Sequence, residues 1–201
     1  MSLLRNIFRR RPPEAQDSRH GTERPPAGEG SAAAELAASM LCAPGALLQL
    51  SREEARRVVA YMRPHRISEG MTFIREGDTE HTHFMLLVLD GQVTVESIVV
   101  SRTQPITVSV LGPGSLIGEM GLLDGAPRSA SCTAMSNLRC AILTRRALRQ
   151  LLADDPSTAA KFMMAIGQRI AERMRESQEK LKLYAQLTQA MNEEINALMP
   201  H

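Results

Sequence analysis

Between residues 70 and 144 the chain breaks into short apolar or alternating runs punctuated by glycine, and this punctuation constrains the fold more than any other feature. Gly70 to Asp78 reads as a strand followed by a turn. His83 to Leu89 is a continuous apolar run, Asp90-Gly91 is a hairpin turn, and Gln92 to Glu96 alternates as a half-buried strand does. Ile106 to Leu111 is a further strand, closed by Gly112-Pro113-Gly114, and Ser131–Ala134 with Leu138–Thr144 supplies a last pair. Short strands at regular spacing with glycine turns predict a mainly β domain, a jelly-roll β-barrel (a double-stranded β-helix) with flanking helices. Two helices are expected before it, Ala32–Leu50 and Ser51–Met62. Ser51 is the N-cap of the second, and Glu54 three residues on completes a capping box. Arg145–Ala153 forms a short helix after the barrel, stopping near Asp155-Pro156.

Inside the barrel region, Gly118-Glu119-Met120-Gly121-Leu122-Leu123-Asp124-Gly125-Ala126-Pro127-Arg128-Ser129-Ala130 places a carboxylate, a short apolar turn and an arginine in order. A guanidinium grips two oxygens of one anion and stays charged when partly buried, so Arg128 suits a phosphate. Gly118 and Gly121 allow close backbone approach. Glu119 to Leu123 is long enough for one helical turn, whose free N–H groups favour an anion. Gly125-Ala126-Pro127 turns the chain and aims Arg128 back at that turn. The plain alternative is a surface ion pair between Glu119 and Arg128, worth about 0–1 kcal/mol.

The stretch resembles the phosphate-binding cassette of cyclic-nucleotide-binding domains, as found in bacterial catabolite-activator proteins, protein kinase A regulatory subunits and cyclic-nucleotide-gated channels. The resemblance implies that Glu119 takes the ribose 2′-hydroxyl and Arg128 the phosphate, with the Ser129 hydroxyl and the Ser129 and Ala130 amides adding phosphate contacts. Gly118, Met120, Gly121 and Leu122 complete the implied ligand-binding set. It further implies a second-messenger sensor for a cyclic nucleotide such as cyclic AMP, with no cofactor and no metal. Cyclic di-GMP on the same fold, gripped by Arg128 with other arginines, is the alternative ligand, and a scaffold binding nothing small is another.

From Ser157 the chain reads as one helix to about Leu198, roughly 60 Å long. Met163, Gly167, Ile170, Met174, Ser177, Leu181, Tyr184, Thr188, Met191, Ile195 and Leu198 step by four and three, a heptad seam. The distal half extends beyond its own domain, so the seam needs a partner, and a parallel homodimer is expected. Gln168, Arg169 and Arg173 are candidate lid contacts over the ligand. Activator-like members use small hydroxyls on this helix to contact adenine, but the stretch here is rich in Met, Ala and Gly. No DNA-binding helix-turn-helix follows, so signalling is expected to run through an unidentified effector protein, with no nucleic acid bound.

Residues 1–32 are rich in Arg, Pro, Gly and Ser and are expected to form a disordered extension to a sensor domain at 33–156, with the dimerisation helix at 157–201. Leu3, Leu4, Ile7 and Phe8 recur beside Arg5, Arg9, Arg10 and Arg11, either as a solvated tail or as a basic amphipathic helix against a partner or an anionic membrane. Arg5 and Arg9 also have the Arg-x-x-x-Arg spacing with which PilZ domains hold cyclic di-GMP.

A net charge of +2, with no tryptophan and 3% aromatic residues, argues against a stacking surface for single-stranded nucleic acid. Three cysteines, Cys42, Cys132 and Cys140, lack metal-ligand spacing and read as reduced thiols acting as small hydrophobes, as fits a reducing cytoplasm. No apolar run is long enough for a signal or a membrane span. No catalytic constellation is present. A metal-dependent cupin would use His81-Thr82-His83 on one strand face, but the remaining histidines, His20, His65 and His201, fall on no expected barrel strand.

Overall fold

The computed structural model of the chain describes residues 32–42, 50–97 and 106–198. The basic extension, with Arg5 and Arg9, lies outside the described residues, as does the end of the first expected helix. In chain order the elements are α1 (Ala32–Leu41), α2 (Arg52–Ala60), β1 (Arg63–Ile67), β2 (Thr72–Ile74), β3 (Phe84–Asp90), β4 (Val93–Ser97), β5 (Ile106–Leu111), β6 (Leu116–Ile117), α3 (Glu119–Asp124), β7 (Ser131–Ala134), β8 (Leu138–Thr144), α4 (Arg145–Asp154) and α5 (Pro156–Leu198).

Among the described residues eight strands form two antiparallel four-stranded sheets, ordered β1-β8-β3-β6 and β2-β7-β4-β5. The barrel expected from the strand pattern is thus an open roll, because among the described residues no ladder joins one sheet to the other. The edge strands β2 and β6 are too short to close it, at three and two residues, and β6 passes through Gly118 directly into α3.

The continuous apolar run of β3 is explained by burial on both faces. Phe84, Leu86 and Val88 point into the roll with Ile74, Val95 and Ile142. Met85, Leu87 and Leu89 point the other way, into a second core with Leu41, Val58, Leu151, Phe162 and Ile166 from the helices. One strand therefore joins the roll to the helical layer.

β1 was not evident from sequence. Its residues Arg-Pro-His-Arg-Ile are mostly polar, and only Ile67 is buried. It is an edge strand, where proline is tolerated, paired with β8 so that His65 lies opposite Cys140. His65 therefore does sit on a strand of the roll. His81 and His83, in contrast, precede β3 in a turn, and His81 Nδ1 meets Asp78 Oδ2 at 2.9 Å. The two imidazoles share no strand face. Among the described residues no group of three or more His, Cys, Asp or Glu is placed to hold a metal ion.

The helical layer is locked by charge. Glu54 Oε2 accepts from the Ser51 N–H at 2.8 Å and Ser51 Oγ from the Glu54 N–H at 3.2 Å, closing the capping box of α2. Glu54 Oε1 also accepts from Lys161 on α5. Arg57 Nε reaches Asp155 Oδ2 at 2.9 Å, and Asp155 caps α5 by accepting from Thr158 N–H at 3.0 Å, ahead of Pro156 in the first helical position. α5 runs 43 residues, about 65 Å. Ala159, Phe162, Ala165 and Ile166 are buried, whereas every described side chain from Arg173 onward is exposed. No described helix is long and apolar enough to cross a membrane.

The Lys161 and Ser51 hydrogen bonds hold the Glu54 carboxyl at about 2, below its ordinary 4.5. A depressed carboxyl stabilises the fold fully above its unfolded pKa and loses that contribution as pH falls through the folded value. Melting temperature should therefore drop between about pH 4.5 and 2, and Glu54→Gln should flatten that drop while lowering stability at neutral pH, as thermal unfolding across pH will show.

Candidate ligand cleft

Four pieces of chain converge on Arg128. β6 ends at Gly118, whose φ of 82° turns the backbone into α3. Asp124 Oδ1 accepts the Ala126 N–H at 2.9 Å as the chain leaves α3, and Pro127 delivers Arg128 to the start of β7. The Arg128 N–H donates to the Asp78 carbonyl at 3.0 Å. Asp78 in turn accepts from the Glu80 and His81 amides at 2.8 and 3.1 Å, building the turn that presents the His81 carbonyl.

Arg128 is 5% exposed. Nε and Nη2 donate to the His81 carbonyl at 3.1 and 2.7 Å, Nη2 to the Phe84 carbonyl at 2.8 Å, and Nη1 to the Gly118 carbonyl at 2.8 Å. It also lies 4.7 Å over the Phe84 ring, a cation–π contact. Four of its five N–H groups are thus committed to the protein, leaving one on Nη1. Burial draws its pKa below the ordinary arginine value, countered by the negative charges of Asp78 and Glu119, and an arginine starting so high stays charged at neutral pH. No carboxylate pairs with it among the described residues. The surface ion pair between Glu119 and Arg128 is not what forms.

The two glycines serve the arginine. A Cβ on Gly118 would sit 2.6 Å from Arg128 Nη1, and one on Gly121 3.1 Å from the same atom. Sequence reasoning gave these glycines to close approach by a ligand, but the guanidinium is what occupies that space.

Glu119 is 4% exposed and takes its charge partner from α5, Arg173 Nη1 at 2.6 Å. The cleft is lined by Gly118, Glu119, Met120, Gly121, Arg128, Ser129 and Ala130 of the anticipated set, together with Arg173 and an apolar wall of Ile74, Val95, Leu111 and Cys132. Within the described residues the Ser129 and Ala130 N–H groups have no protein partner. Burial pushes the Cys132 thiol up to about 12, so it is an uncharged apolar neighbour.

Three anticipated residues fall elsewhere. Leu122 turns into the helical core at 1% exposure and anchors α3 from behind. Gln168 is exposed and donates to Glu172 at 3.2 Å. Arg169 does not line the cleft. Of the three lid candidates only Arg173 reaches it, one helical turn beyond Arg169 on a face the heptad count alone does not select.

Arg145 was missed altogether. The first residue of α4, it donates through Nη2 to the Gly121 carbonyl at 2.7 Å and through Nε to the Leu122 carbonyl at 3.0 Å. These carbonyls close the C-terminal end of α3, where a cation is favoured. The available signal was negative: α4 begins with Arg145 and Arg146, where the dipole prefers acids, so Arg145 needed a use outside its own helix.

The sequence pattern of the family described as Cyclic nucleotide-binding domain matches residues 64–155. The fold superposes on a solved cyclic nucleotide-binding domain of Methylobacillus flagellatus with a TM-score of 0.66 at 32% identity, covering 75% of this chain and 83% of that one. The chain belongs to the cyclic-nucleotide-binding domain family. The Cyclic AMP receptor protein of Thermus thermophilus is 29% identical over 123 residues, 61% of this chain and 56% of the relative. A CRP-like cAMP-activated global transcriptional regulator of Mycobacterium tuberculosis is 23% identical over 109 residues, 54% of this chain and 47% of the relative. The chain spans about half the length of the curated relatives it matches.

In this cyclic-nucleotide-binding domain, Gly118→Ala forces an alanine into a left-handed conformation and against Arg128. The backbone alone costs about 1–2 kcal/mol. Chemical denaturation should show a loss at least that large, whereas Gly112→Ala, whose Cβ meets nothing within 4 Å, should stay close to wild type.

Proposed function

We propose that the chain senses a cyclic mononucleotide, cyclic AMP in the first place, in the cytoplasm, as a regulator rather than an enzyme. The observation that carries this reading is the buried Arg128, which among the described residues has no carboxylate bonded to it, beside Ser129 and Ala130 amides that have no described protein partner, within one cleft of Glu119. A phosphodiester supplies the negative charge this arginine lacks, and accepts from the remaining Nη1–H and the two amides. Glu119 takes the ribose 2′-hydroxyl. The reading favours a mononucleotide over cyclic di-GMP because the cleft offers one phosphate seat among the described residues.

The response follows from two ties. Ribose at Glu119 competes with, or is bridged by, Arg173 on α5, and phosphate at Arg128 draws on the cassette that Arg145 holds to α4. A ligand shifts such an arrangement by its differential affinity for the two states. The exposed seam of α5 then carries the change, through a parallel homodimer, to an effector protein. Gly167 fits a close helix approach: it sits in the seam, exposed, and an added Cβ would meet nothing in its own chain.

Titration calorimetry of the full chain against cyclic AMP, cyclic GMP and cyclic di-GMP tests the proposal. A saturable heat with a cyclic mononucleotide is expected, and no heat with either would defeat it. Arg128→Lys keeps the charge but cannot span three carbonyls and a phosphate, and should weaken binding by about 1.5–3 kcal/mol, about 10- to 150-fold. Arg145→Ala should leave binding within about tenfold of wild type, about 1.4 kcal/mol, since Arg145 does not line the cleft. Ligand-dependent hydrogen-exchange protection should survive in α3 and fade in α4.

A further inference from the structure

The distal half of α5 carries more apolar surface than a two-helix seam covers. Leu181, Tyr184, Met191 and Ile195 belong to the seam, but Leu183 and Leu187, 62% and 57% exposed, do not. With Gly167, Met174, Leu181, Thr188 and Ile195 at the a positions, Leu187 falls at g and Leu183 and Ala190 at c. At 3.6 residues per turn the a/d seam and this c/g strip are centred about 110° apart around the helix. That is close to the right angle between the two neighbours of a helix in a square four-helix bundle, with the d and g residues between them turned to its centre.

The charges along the strip give it a direction. Lys180 stands seven residues before Leu187 and Glu194 seven after, both also at g. In the parallel dimer the e positions facing them are Ala171, Gln178, Ala185 and Asn192, none charged, so the usual g-to-e′ ion pairs are not made there. Two strips laid parallel in register set Lys180 on Lys180 and Glu194 on Glu194. Laid antiparallel about a two-fold axis at Leu187, they set each Lys180 beside the other's Glu194, Leu187 on Leu187 and Leu183 near Met191. This is the self-complementarity a two-fold interface requires.

We infer that two dimers of this chain associate through the Leu183–Leu187–Ala190 strips, antiparallel, so that the distal halves of α5 form a four-helix bundle and the sensor domains sit at its two ends. Exposed ion pairs contribute little energy: the leucines hold the bundle and the charges set its direction. The inference rests on the parallel dimer proposed above, and one experiment separates the two.

Sedimentation velocity of the full chain over a wide concentration range should give the mass of four chains. Leu187→Lys should give two. Lys180→Glu alone should also shift the mass toward two, and Lys180→Glu combined with Glu194→Lys should restore four. A wild type of two chains at every concentration overturns the inference, leaves the strip to a different protein and keeps the dimer. A wild type of one chain overturns both. Failure of the double variant to recover four chains overturns the antiparallel arrangement.

Discussion

A buried guanidinium held by three backbone carbonyls is the constraint around which this domain is arranged. Burying a cation without a counter-ion is costly, and here the cost is met by oriented carbonyls at His81, Phe84 and Gly118 rather than by a carboxylate. Each carbonyl comes from a different local structure: a turn pinned by the Asp78 side chain, the first residue of β3, and the left-handed hinge before α3. Arg128 therefore fastens the 78–84 turn, the entry to β7 and the start of the cassette to one point. The glycines at 118 and 121 follow from this, because a side chain at either would displace Nη1. Among the described residues no carboxylate bonds to the guanidinium, and the same arrangement that stabilises the loop keeps the charge beside the cleft.

The site is connected to the helices by means that differ in kind. β3 is a packing link, buried in the roll on one face and in the helical core on the other. Arg145 is a polar link, capping α3 from the first turn of α4. Arg173 is an ionic link from α5 to the buried Glu119. Glu54, Arg57 and Asp155 fasten the root of α5 to α2, so movement of α5 has a fixed pivot. Beyond Arg173 the helix makes no buried contact among the described residues, and its apolar side chains there are exposed.

What could be read from sequence depended on whether the controlling interaction was local. β5, β7 and β8 are bounded by their own turn residues, and the Ser51–Glu54 capping box is contained in four residues, so all were legible. That residues of the 118–130 stretch line one cleft was legible because they lie in order along one short piece of chain. β1 was not, because an edge strand with one buried residue carries no apolar pattern. The open edges of the roll depend on how far β2 and β6 extend, which short runs do not reveal. Leu122 and Arg173 each turned on the rotation of a helix against the sheet. Met120 and Leu122 are equally apolar, yet only Met120 faces the cleft. The carbonyl cage of Arg128 involves atoms every residue possesses, so no residue type announces it.

The account stands on Arg128 and the two amides that follow it forming the seat of a phosphodiester. Nitrogen-detected NMR of the labelled full chain, titrated with cyclic AMP, observes that seat directly. The account predicts large, saturating shifts of the Arg128 Nη1–H and of the Ser129 and Ala130 amides, with smaller changes in β1, on the far edge of the other sheet. Saturation of the protein with those three signals unmoved would contradict it.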